Sequence, residues 1–175
     1  MAGSALSSGG PASLTSPTVT TTPTDAPMPP SLRTISEPDA AMAERITATY
    51  AEGGPGIMHD LGLRITAATT GHVQFDVDVV PHVTHGGGVM CGQAILGCMD
   101  TGMVFVMMSF NQPDRGFTTV SLNTNFERAV PEGIGTVTFD AHVVKPGRSL
   151  VFGQIDVYLP SGKRAASATT TYMWI

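Results

Sequence analysis

Charge is scarce in this sequence. Asp, Glu, Lys and Arg together make up 13% of its 175 residues, about half of the roughly 25% usual for soluble proteins. Much of the surface must therefore be covered by polar uncharged side chains or by other subunits, and an oligomer is expected. Positive charge is scarcer still, with nine Lys and Arg against 14 Asp and Glu for a formal net charge of −5. That leaves no general basic field for DNA or RNA, so nucleic acid is not an expected partner, although a local cluster of Lys and Arg can still hold a phosphorylated ligand. Cysteine is limited to Cys91 and Cys98, and on a helix their spacing sets them about two turns apart, beyond disulfide reach. With no other cysteine and no helical histidine beside them, they read as small core residues of a reduced, cytoplasmic protein.

Residues 1–35 lack hydrophobic periodicity and consist almost wholly of Ser, Thr, Pro, Ala and Gly, with Asp25 and Arg33 as the only charges. The basic start and apolar run of a secretory signal are missing, as are the repeated arginines of a transit peptide. Such a composition cannot offset its ordering entropy, so a disordered tail is expected, followed by one domain over 36–175.

Within that domain, Ser36-Glu37-Pro38-Asp39 carries a helix-start signal, a Ser three residues before an acid with Pro in the first turn. The helix presents Met42, Ile46 and Tyr50 and stops at Gly53-Gly54-Pro55. Two strands are expected over 61–69 and 72–80, the second alternating Val73, Phe75, Val77 and Val79 with Gln74, Asp76 and Asp78. After a turn-like stretch from Pro81 to Gly88, residues 89–109 form the longest apolar segment. Its length fits a membrane span, but Gln93, Asp100 and three glycines interrupt it and strands flank it, which predicts a buried helix and no membrane. Four strands follow, over 117–128, 135–145, 149–159 and 164–174, the last three joined by the turns Lys145-Pro146-Gly147-Arg148 and Pro160-Ser161-Gly162. The class is α+β, with an antiparallel sheet that can bury so apolar a helix only by curling around it.

This order of elements resembles the hotdog fold, a curved antiparallel sheet wrapped around one long central helix. His85-Gly86-Gly87-Gly88-Val89-Met90-Cys91-Gly92, with Asp100 eight residues on, looks like the glycine-rich active-site segment of the phenylacetic-acid-pathway (PaaI-type) thioesterases. Ser121 to Phe126, Val143 to Leu150 and Gly162 to Ala166 resemble later strands and hairpins of that group, so the likeness spans roughly residues 40–174. One departure stands out. The family commonly has His-Gly-Gly at the helix start, whereas here Cys91-Gly92 holds that place and the histidine lies about two turns earlier.

The resemblance implies hydrolysis of acyl-coenzyme A, aryl or fatty, with coenzyme A as part of the substrate and no other cofactor or metal. Asp100 is the candidate base or nucleophile, since a carboxylate in so apolar a helix is costly unless paired or used. Gly92 is the candidate oxyanion donor at the helix start, where free amides carry partial positive charge. Gly87 and Gly88 either assist there or serve only the turn. His85 is the candidate for orienting the thioester or water, with His82 as its rival and a solvated loop histidine as the plain alternative. Thr119 aligns with a water-positioning hydroxyl, while Thr118 would face the other side of the strand. Gln93 lies on nearly the face of Asp100 and either bonds the carboxylate or satisfies the helix start. Most of the helix methionines read as core, and Arg128, Lys145 and Arg148 as phosphate contacts or solvated loop charges. The family implies a homodimer or a tetramer of two dimers, with the site between subunits. A hotdog hydratase or dehydratase is the rival activity, and a non-catalytic acyl-coenzyme A-binding module the rival of another class.

Overall fold

The computed structural model describes residues 32–175. Most of the tail expected over 1–35 therefore lies outside the described residues. Leu32 to Ile35 run as irregular chain, and the Arg33 carbonyl accepts a hydrogen bond from the Gln74 amide.

Helix α1 spans Ala40–Gly53, and its cap is Asp39 rather than the Ser36 expected from sequence. The Asp39 carboxylate accepts from the Met42 amide at 2.9 Å, which satisfies one of the free donors of the first turn. The buried face is the expected one, Met42, Ile46 and Tyr50. A second short helix, α2, occupies Gly56–His59 in a stretch whose glycine and proline read as a plain stop.

The strands are β1 (Arg64–Thr69), β2 (His72–Asp78), β3 (Thr84–His85), β4 (Val89–Met90), β5 (Phe117–Phe126), β6 (Thr136–Pro146), β7 (Leu150–Tyr158) and β8 (Arg164–Trp174). Six of them form one antiparallel sheet in the order β1-β2-β6-β7-β8-β5. Helix α3, Gly92–Ser109, fills its concave side. Two expectations shift here. The first strand begins three residues later than 61, and Val89-Met90 leaves the long helix to pair with Thr84-His85 in a small ladder of its own. A glycine-rich stretch hides such a ladder because only two residues on each side carry it.

By length and composition α3 could cross a membrane, but eleven of its 18 residues are buried within the protein. The contact with the sheet is close at Gly102, where an added Cβ would lie 2.6 Å from the Phe75 ring. Phe75 stacks on Phe139 with ring centres 4.9 Å apart and meets Phe105 edge-on at 5.6 Å. Aromatic pairs in these geometries add about 0.5–1.5 kcal/mol each beyond their area. The packing fixes the rotation of α3 and turns Asp100 toward β5 and β8.

The sheet has two outer strands, β1 and β5. Strand β5 is ten residues long with neither charge nor proline, and Val120 and Phe126 on it are exposed. Natural edge strands are usually shortened, charged or interrupted to prevent pairing. This one is neither short nor charged, and it borders the helix face that carries Asp100.

Candidate active site

Asp100 is held by two hydroxyls. Thr119 Oγ1 donates to Asp100 Oδ1 at 2.9 Å, and the Tyr172 hydroxyl lies 2.6 Å from the same oxygen. Thr119 and Tyr172 are register partners on β5 and β8, and the ladder shifts immediately after Thr119, at the bulge formed by Val120. A bulge re-aims the side chains of its strand. Thr119 thus faces the helix, as expected, and Thr118 pairs with Met173 on the opposite face. Burial, and then the bond to Asp100, push the Tyr172 phenol well above its ordinary pKa, so it stays a proton donor at any physiological pH. Both hydroxyls converge on Oδ1. Oδ2 accepts no hydrogen bond among the described residues, and this oxygen is free to take a proton or to attack.

Beside this group α1, α2 and α3 enclose a mainly apolar cavity of about 320 Å³, lined by Tyr50, Met58, Val104, Met108 and Asp100 among others. Met108, one of the methionines of α3, belongs to this lining.

The start of α3 is the second component. Cys91 is its N-cap, with extended backbone and no side-chain capping bond, so the first-turn amides remain available as donors. Gly92 sits under the Phe126 ring, at 3.4 Å from an ideal Cβ, and lines a cavity of about 380 Å³ with Phe126, Glu127 and Arg128. Eight residues of helix separate Gly92 from Asp100, about 12 Å along the axis. One chain therefore does not bring the two to the same carbonyl.

The remaining candidates divide. His85 Nδ1 accepts from the Gly87 amide at 2.9 Å within its own exposed turn, and Gly88, with φ +71°, closes that turn. The turn itself thus accounts for Gly87 and Gly88, and none of the three touches Asp100 within the chain. His82 hydrogen-bonds the Asp60 carbonyl, and Gln93 is exposed and forms no bond to the carboxylate. The three basic candidates do not form one cluster. Arg128 follows the end of β5 and bonds the Arg164 carbonyl. Lys145 and Arg148 belong to the β6–β7 hairpin near the beginning of β5, where Arg115 reaches the Arg148 carbonyl at 3.1 Å and Phe117 pairs with Trp174. About 30 Å of strand lies between the two groups.

Tyr172 was not singled out from sequence. Its signal is the alternation of β8, which places it on the inner face, but an inward Tyr reads equally as core until the register with Thr119 is known.

The model of the thioesterase superfamily matches residues 87–166, which includes Gly92, Asp100 and Thr119. No curated protein matches the chain by sequence. Among solved structures, a thioesterase family protein from Silicibacter pomeroyi is 24% identical with a TM-score of 0.67, over 77% of this chain and 98% of that one. The PaaI protein of the E. coli phenylacetic acid degradation operon is 18% identical with a TM-score of 0.68, over 77% and 94%. A hypothetical thioesterase from Streptococcus pneumoniae, solved with coenzyme A, is 20% identical with a TM-score of 0.60, over 65% and 85%. With a curved antiparallel sheet around one long helix, the chain has the hotdog fold, and over residues 87–166 it is similar in sequence to the thioesterase superfamily.

Proposed function

We propose that the protein hydrolyses acyl-coenzyme A thioesters of the PaaI type and does so as a homodimer paired through β5. The observation that carries this reading is Asp100, held at Oδ1 by Thr119 and Tyr172 with Oδ2 free.

The unpaired edge supplies the missing half. If β5 pairs antiparallel with β5 of a second copy about a two-fold axis beside Leu122, the bulge at Val120 sets Thr119 opposite the partner's Thr124. Two residues further on the same face, the partner's Phe126 covers the partner's Gly92. The distant amide and the carboxylate then meet across the seam. By the same operation the partner's Arg128 moves to the end of the sheet where this chain carries Lys145 and Arg148, which gathers three cations for the phosphates of coenzyme A.

In this arrangement the thioester carbonyl receives a hydrogen bond from the partner's Gly92 amide, which stabilises the oxyanion as it develops. Asp100 Oδ2 takes a proton from water as the water oxygen bonds to the carbonyl carbon. Collapse breaks the carbon–sulfur bond and the thiolate leaves, recovering the proton from Asp100. Direct attack by Oδ2, which breaks the carbon–sulfur bond, expels the thiolate and gives an acyl anhydride that water then opens, uses the same atoms. The acyl chain extends into the apolar cavity beside α1.

The test is release of free coenzyme A from aryl, short, medium and long acyl thioesters by the wild type and by Asp100→Asn. Turnover by the wild type with a loss of roughly 10³-fold or more in kcat for the variant supports the reading. No turnover of any thioester, or hydration of an enoyl thioester in its place, would overturn it.

A further inference from the structure

The convex face of the sheet, remote from Asp100, carries a second cluster. His72 on β2 and His142 on β6 are register partners, and Asp140 stands two residues from His142 on the same face. Asp140 Oδ1 lies 3.0 Å from His72 Nε2 and 3.3 Å from His142 Nδ1, and one donor atom from each of the three residues falls within 4.8 Å of the others. We propose that His72, Asp140 and His142 bind a divalent transition-metal cation, with Zn²⁺ the best match.

Four observations carry this. The first is distance. Nitrogen and oxygen ligands sit about 2.0–2.2 Å from zinc, so adjacent corners of a tetrahedron lie roughly 3.3 Å apart, close to the two separations given above. The second is donor chemistry, since two imidazoles and one carboxylate suit zinc or its first-row neighbours and not magnesium or calcium. The third is charge. Asp140 is 1% exposed, and no Lys or Arg pairs with it among the described residues. Its cross-strand neighbour Asp156, equally buried, has Arg164 at 3.1 Å. A bound cation would give Asp140 the full counter-charge that Asp156 already has. The fourth is support and access. Gln74 Nε2 donates to Asp140 Oδ2 at 2.8 Å and fixes the carboxylate plane, while the His72 side chain is 16% exposed and leaves a route from solvent to the remaining coordination position.

Tag-free protein, stripped with chelator, is titrated with Zn²⁺ in a calorimeter and with Co²⁺ by visible absorption. Saturable uptake of about one ion per chain, a tetrahedral cobalt spectrum and a melting temperature raised by on the order of 5 °C in 100-fold excess over Kd are expected. His72→Ala, at the most exposed of the three side chains, is expected to fold and to bind at least 100-fold more weakly with unchanged thioester turnover. Asp140→Asn is expected to lose the cobalt spectrum. Absence of saturable binding of either metal to the wild type, or His72→Ala binding within about threefold of it, would overturn the assignment.

Discussion

The Tyr172 hydroxyl lies within hydrogen-bonding distance of two oxygens of Asp100, the carboxylate Oδ1 at 2.6 Å and the main-chain carbonyl at 3.0 Å. One phenol thus fixes both where the carboxylate points and where the helix that carries it lies relative to β8. Thr119 reaches the same Oδ1 from the neighbouring strand. The carboxylate is oriented before any substrate arrives.

Removing either hydroxyl tests that orientation. A hydrogen bond to a charged group contributes about 1.5–3 kcal/mol, so Tyr172→Phe and Thr119→Val are each expected to lower kcat by roughly 10-fold or more with little change in KM. Steady-state kinetics on the preferred thioester is the measurement. Wild-type kcat in both variants would show that the hydroxyls serve folding alone.

The bare edge of β5 predicts that assembly and activity fall together. Val120 is exposed on the bulge beside Thr119, and Val120→Lys places a charge on the proposed seam. Light scattering after size exclusion should show a smaller species with thioester turnover lost. A variant that keeps its mass and its activity would place the seam elsewhere.

Two glycines of α3 should respond in opposite directions. A Cβ at Gly102 would sit 2.6 Å from the Phe75 ring and 3.4 Å from Ala141 Cβ, whereas at Gly97 its nearest neighbour is the Met58 methyl at 3.2 Å. The ring is locked between Phe139 and Phe105, and the thioether can move. Gly102→Ala is expected to cost about 1–3 kcal/mol by overpacking, against roughly 1 kcal/mol of helix propensity gained. Gly97→Ala keeps most of that gain while narrowing the cavity beside Asp100. Urea melts of the two variants separate these cases.

Cys98 predicts an alkaline weakness. Burial, and then the nearby Cys91 thiol, push its pKa up to about 12, while an unfolded thiol ionises near 8.5. The folded value is the raised one, so this contribution is complete below about pH 8.5 and is lost as pH rises from there toward 12. Stability should fall by about 1.4 kcal/mol per pH unit in that window. Denaturant midpoints at pH 7.5, 8.5 and 9.5 measure the slope, and Cys98→Ala should flatten it up to the onset of tyrosine ionisation.

Sequence and structure agree where a single residue breaks a local pattern. Asp100 is legible as one charge in an apolar helix, and Thr119 through the family resemblance, with strand alternation sending its neighbour Thr118 to the other face. Features that depend on register between distant strands are not legible in this way. Tyr172 meets Asp100 only because β8 lies beside β5, and His72 meets His142 only because β2 pairs with β6 across 70 residues of chain. The same limit explains Arg128, Lys145 and Arg148. Each lies at or just past a strand end, but sequence does not say which end of the sheet it is. Local chemistry also misled at Asp39, which takes the cap because its carboxylate reaches the Met42 amide, although Ser36 carries the stronger motif.

The uncapped start of α3 sets stability against turnover. Cys91 occupies a position where Asp, Asn or Ser would add about 1 kcal/mol by accepting from the first-turn amides. Such a residue would draw on the same donors that the proposed reaction gives to the thioester oxygen, and an aspartate would place a permanent anion where the proposed oxyanion forms. Thermostabilising substitutions selected for melting temperature alone should therefore accumulate at this residue and lower the proposed thioester turnover, so a protein engineer would do well to leave this helix end unimproved.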